Sequence, residues 1–243
     1  MSDQSNQEAE AKKFELSPAI SILVAGATVA GAILLTHFLP GGQGALAGAQ
    51  DQQQQPTLQQ QMTPDTYLQI AQALKIDETK YKACVDAKKY QTKIDTDSAE
   101  AQKAGGTGTP FTVVVDTATK KMLPISGALP YEQLKQAITG VNTQGTALSI
   151  RAPSATDHIV GSPTAPIVLI EYSDFQCPYC QMIHASLNQL VSESDGKIAW
   201  VYRHFPLYQI HPQAEPAANA SECIAEQLGN EAFWQFANTI FQG

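Results

Sequence analysis

The sequence predicts an α/β domain carried behind one membrane-spanning helix. An uncharged run of roughly 20 residues sits near the N-terminus, about the length a helix needs to cross a bilayer. Behind it, helical spacings alternate with short runs rich in β-branched residues. The most apolar of those runs, APIVLIEYSDF, leads straight into Cys177-Pro178-Tyr179-Cys180 and a further helical pattern. A hydrophobic share of 43% with 16% charged residues suits a packed core. The formal charge of −8 argues against nucleic acid as a partner, because a backbone binder needs a basic surface.

Residues 1–19 carry Lys12 and Lys13, and no further Lys or Arg occurs before Lys75. That asymmetry places 1–19 in the cytoplasm, 20–39 (ISILVAGATVAGAILLTHFL) across the membrane and the remainder outside. A cleavable signal is the competing reading, since Ala45-Leu46-Ala47 has the small-x-small form of a cleavage site. Residues 40–61, rich in Gly and Gln, read as a flexible spacer ahead of a domain over 62–243.

In TYLQIAQALKI, Tyr67, Ile70, Ala71 and Leu74 share one helical face. DETKYKACVDAKKY has its own helical spacing, and a third helix runs to Ala104 before Gly105-Gly106. TPFTVVVD reads as a strand, TATKK as a turn and MLPISG as a short second strand. PYEQLKQAI reads as a helix with Pro130 at its start. Residues 140–166 read as a long connection. The strand APIVLIEYSDF, the helix QMIHASLNQLVSE, the strand KIAWVYRHF and two closing helices, PAANASECIAEQLG and EAFWQFANTIF, complete the pattern.

Cysteines at i and i+3 in the first turn of a helix can bridge and reopen. At a helix N-terminus, unpaired N–H groups and the dipole favour a thiolate on Cys177, and Pro178 suits the first helical position. A thiolate so held is a good leaving group, which makes a disulfide oxidising. Cys180, one turn deeper, suits a shielded resolving thiol. The bland alternatives are a structural disulfide or half a zinc site, but the chain has no second C-x-x-C and no H-x3-H. No metal or cofactor is inferred.

The segments GSPTAPIVLIEYSDFQCPYC, VYRHFPL, IHPQAEPAANASECIAEQ and FWQFANTIF together resemble the first half of the DsbA-type bacterial thiol–disulfide oxidoreductases. YKACVDAKKY, GTGTPFTVVVD and ISGALPYEQLKQAI resemble the second half. The resemblance implies a thioredoxin-like fold with a helical insertion. It also implies reversed order: the second half at 62–139, a connection at 140–166 and the first half at 167–243, as in a circular permutant. A swapped dimer or a rearranged sequence would give the same order.

By the same resemblance, Thr109-Pro110 matches a cis-proline loop facing the cysteines, and Glu171 matches a buried acid beneath them that relays a proton to or from Cys180. Tyr179 stands where strongly oxidising members often carry His, which points to a milder potential. The resemblance also pairs Cys84 with Cys223 in a structural disulfide. His184 reads as a surface or packing residue, and His204 and His211 fall in a stretch that the family uses as a structural turn.

The implied activity is disulfide introduction into exported thiol-containing proteins outside a bacterial cell membrane, with a membrane quinone-linked oxidase restoring the Cys177–Cys180 bond. A reductase or isomerase would use the same cysteines. A tethered holdase with inert cysteines is the non-enzymatic alternative.

Overall fold

A computed structural model describes residues 58–242. The segments expected as cytoplasmic terminus, membrane span and most of the spacer lie outside those residues. Among the described residues no helix is long and apolar enough to cross a membrane.

The chain begins with a 3-10 turn at Leu58–Gln61, inside the stretch expected as spacer. It continues through α1 (Pro64–Ala73), α2 (Glu78–Asp86) and α3 (Gln91–Lys103). Thr63 caps α1, accepting the Thr66 N–H while the Thr66 hydroxyl receives the Thr63 N–H. The helical run expected through Tyr90 stops at Asp86, because Lys88 takes a left-handed φ of 46°.

Next come β1 (Phe111–Asp116), β2 (Met122–Ser126) and α4 (Tyr131–Gln144), with Pro130 just outside the helix. Then follow β3 (His158–Val160), β4 (Ile167–Ser173), α5 (Pro178–Ser192), β5 (Ile198–His204), α6 (Ala214–Leu228) and α7 (Asn230–Gln242). Two corrections fall on the stretch expected as a bare connection. Its first residues extend α4 through Gly140 to Gln144, and His158–Val160 pair with Trp200–Tyr202 as an edge strand. A three-residue strand is too short to show a period, so the Gly-, Pro- and Ser-rich surroundings dominated the reading.

The mixed sheet has the order β2-β1-β4-β5-β3. β1 runs antiparallel to β4, with Thr112 opposite Glu171, and β4 runs parallel to β5, with Glu171 opposite Tyr202. A strand before the connection therefore pairs directly with a strand after it. Side chains alternate between two buried faces. Leu169, Trp200 and Tyr202 join α1, α5, α6 and α7 in one core, and Val168, Ile170, Tyr172 and Val201 join Ala101 of α3 in another. Burial on both faces explains why β1 and β4 read as nearly continuous apolar runs.

Candidate active site

β4 delivers the chain to a tight turn organised by Asp174. This buried carboxylate accepts the N–H of Gln176 at 2.7 Å, the N–H of Leu207 at 2.8 Å and His211 Nδ1 at 2.8 Å. Gln59, from the opening 3-10 turn, donates its side-chain amide to the carbonyls of Phe175 at 3.0 Å and Cys177 at 3.3 Å. Both ends of the turn are thus held. Cys177 emerges as the N-cap of α5, with Pro178 in the first helical turn.

Both cysteines are buried and unbridged. The Cys177 thiol donates to the Thr109 carbonyl at 3.4 Å, and the Thr109–Pro110 peptide is cis, so the proline loop lies against the first sulfur. Cys177 is pulled from its ordinary 9.0 to about 6. The largest cause is donation from the Cys180 thiol, helped by the Thr109 side chain and the N–H groups of Cys180 and Tyr179, against opposing desolvation. Beyond the helix N-terminus, the partner sulfur contributes most to holding the thiolate. Thr109 Oγ1 is buried without a hydrogen-bond partner, which leaves it available to the thiolate once the proton is gone.

Cys180 moves the other way. Burial pushes it well up, and the charges of Cys177 and Glu171 push further. The Asp174 N–H lies 3.5 Å from its sulfur. One sulfur is therefore poised as a thiolate while its partner holds its proton.

Glu171 is buried beneath the site, in register with Tyr202. Trp200 Nε1 donates to one of its oxygens at 3.0 Å and the Ser173 hydroxyl to the other at 2.7 Å. Burial lifts it to about 7, partly offset by those two hydrogen bonds.

Cys84 and Cys223 are joined in a disulfide between α2 and α6, with S–S 2.03 Å. Tyr179 is 59% exposed. His184 is buried against Trp200 and Phe241, its Nε2 2.7 Å from Asn238 Oδ1, and desolvation holds it down to about 4. It packs as a neutral ring. His204 closes β5 rather than forming a turn; its Nε2 lies 2.8 Å from buried Glu222. His211 does sit in the turn after β5. Among the described residues no group of three or more His, Cys, Asp or Glu is placed to hold a metal ion.

Sequence reasoning missed Gln59, Asp174, Ser173 and Tyr202. Gln59 sat in a Gln-rich run that looked like spacer, and the others passed as ordinary strand or turn residues.

Comparison with known proteins agrees with this geometry. Residues 47–139 match the DSBA-like thioredoxin domain family, and residues 153–243 match a thioredoxin family. The chain is a DsbA-type thioredoxin-fold protein. Its C-x-x-C stands where β4 gives way to α5. It is 39% identical over 85 residues to a Na(+)/H(+) antiporter NhaA 1 of Mycolicibacterium gilvum, covering 35% of this chain and 13% of that protein. It is 32% identical over 129 residues to a Na(+)/H(+) antiporter NhaA 1 of Salinispora arenicola, covering 53% of this chain and 19% of that protein. The chain thus spans less than a fifth of these relatives, and no solved structure matches it.

Proposed function

We propose that this DsbA-type chain is an extracytoplasmic thiol–disulfide oxidoreductase that introduces disulfides into exported proteins through Cys177-Pro178-Tyr179-Cys180. The observation that carries this reading is a buried, unbridged C-x-x-C at the N-terminus of α5 with Cys177 Sγ 3.4 Å from the Thr109 carbonyl, an arrangement that drives the ionisation of the two sulfurs apart. In the oxidised enzyme a substrate thiolate attacks Cys177 Sγ. The Cys177–Cys180 bond breaks, and its electron pair leaves on Cys180, which takes a proton from the buried acid Glu171. A second substrate thiolate then attacks the substrate sulfur of the mixed disulfide and expels Cys177, a good leaving group because its thiolate is stable. The substrate is oxidised and the enzyme reduced. The loop at Thr109-Pro110 offers a backbone edge for the substrate chain.

The rest of the reading follows the sequence. Residues 20–39 anchor the chain in a bacterial cell membrane, and a membrane quinone-linked oxidase restores the disulfide. The halves stand in circularly permuted order within one chain, a reading supported by the pairing of β1 with β4 and by the Cys84–Cys223 bridge.

Replacing Cys177 by Ser tests the function: oxidative folding of a reduced client and dithiol-driven insulin reduction should both be lost. Unchanged client refolding would make the protein a binding module instead. The reduction potential sets the direction. A value close to about −120 mV fits an oxidant and one close to about −270 mV a reductase working through the same pair.

A further inference from the structure

We propose that the Ser173 hydroxyl is the relay that carries a proton between Glu171 and Cys180 as the active-site disulfide opens and closes. The inference rests on the oxidoreductase reading and adds a residue to its proton path.

The geometry comes from strand periodicity. Glu171 and Ser173 are two apart on β4, so both side chains project from the sheet face that packs against α5, which carries Cys180. Both are 1% exposed, so solvent does not supply the proton directly. The Ser173 hydroxyl donates to one Glu171 oxygen at 2.7 Å, and Trp200 Nε1 occupies the other at 3.0 Å. The next residue, Asp174, places its N–H 3.5 Å from the Cys180 sulfur, so the serine stands beside that thiol, and its hydroxyl favours the thiolate form. Tyr202 stands opposite Glu171 on β5, and its buried hydroxyl lacks a hydrogen-bond partner. A hydroxyl is one donor and two acceptor sites, so Ser173 can accept from a protonated Glu171 while donating to Cys180.

The transfer balances. When Cys180 leaves as a thiolate, Ser173 gives it a proton and takes one from the Glu171 carboxyl, which becomes a carboxylate. When the disulfide re-forms, each proton moves back. The proton thus resides on Glu171 in the oxidised enzyme and on Cys180 in the reduced one. Without the hydroxyl, Cys180 would have to ionise in a site that strongly disfavours its charge.

The titratable groups facing this path are few. Cys177 and His184 approach from α5, Asp174 from the turn after β4, and Tyr202 and His204 from β5.

The test uses the full chain with glutathione loaded on Cys177 as a mixed disulfide, and follows its resolution by Cys180 across pH. Ser173→Ala should slow resolution roughly hundredfold at neutral pH, the lower end of what proton-transfer catalysis contributes. The deficit should shrink as rising pH lets hydroxide take the proton, and Ser173→Thr should restore the rate. In a Glu171→Gln background the alanine change should add little further loss, as expected for two members of one path. Alkylation of Cys177 should keep its pH midpoint, which a general loss of packing would not allow. If Ser173→Ala does not fold, Ser173→Val against Ser173→Thr gives the same contrast at nearly equal volume. A resolution profile identical to the parent, or no difference between valine and threonine, overturns the relay. If the parent itself fails to exchange thiols, the oxidoreductase reading fails first.

Discussion

Cys177 and Glu171 shift in opposite directions, so they bend the pH dependence of stability in opposite senses. The reduced folded protein holds Cys177 near 6 against an ordinary 9.0, so between those values it binds fewer protons than the unfolded chain. Its stability therefore rises with pH across that window, and the thiolate contribution is lost as pH falls through about 6. Glu171 is raised from 4.5 to about 7, so its contribution is present below 4.5 and lost as pH rises through about 7. Thermal melts of the reduced protein should show Cys177→Ser removing the rise above pH 6, and Glu171→Gln melting higher than the parent above pH 7. If Glu171→Gln melts lower at every pH, the carboxylate is not strained by burial. The cysteine pair was legible because C-P-x-C after an apolar strand is specific. Glu171's place beneath the cysteines came through resemblance, while its apolar strand already argued for a buried, partnered acid over a solvent-facing one. Ser173 and Tyr202 gave no signal, because their meaning depends on which sheet face meets α5.

At the scale of elements, the connection between α4 and β4 is pinned rather than slack. Arg203 of β5 is 1% exposed, and its guanidinium donates to Glu100 of α3 at 2.7 Å, to Asp157 at 2.9 Å and to the Arg151 carbonyl at 3.1 Å. Close by, buried Glu222 of α6 gathers Lys93 at 2.9 Å, His158 at 2.9 Å and His204 at 2.8 Å on one oxygen. Removing one member of such a buried set leaves uncompensated charge, so Arg203→Met should cost about 3–5 kcal/mol in denaturant unfolding. A loss under about 1 kcal/mol would mean the pairing is as weak as a surface ion pair. The helices and the long strands were readable from period and composition. β3 and this charge cluster were not, because their partners lie roughly 20 to 130 residues away in sequence and no local pattern encodes a pairing at that distance.

At the scale of the molecule, the sheet takes strands from both sides of the connection, so neither side completes a core alone. The Cys84–Cys223 disulfide spans a sequence separation of 139. By the chain-entropy argument a loop of that size is worth about 5 kcal/mol before strain. In a Cys177→Ser, Cys180→Ser background, replacing Cys84 and Cys223 by Ala should lower stability by several kcal/mol, and adding reductant should then shift melting no further. If the bridged and unbridged proteins melt alike, the bridge is incidental to folding. The individual motifs were legible, whereas the meeting of a strand before the connection with one after it required the strand register.

The run from Ala152 to Thr156 lies exposed between those halves. A protease cutting there would divide the molecule so that one fragment kept the proline loop and the other kept both reactive sulfurs. With Cys84 and Cys223 still linked, the nicked form would migrate as one species on a non-reducing gel. Opening that remote bond would then leave only the shared sheet and cores to keep the loop at Pro110 against Cys177, even though no atom of the C-x-x-C had changed.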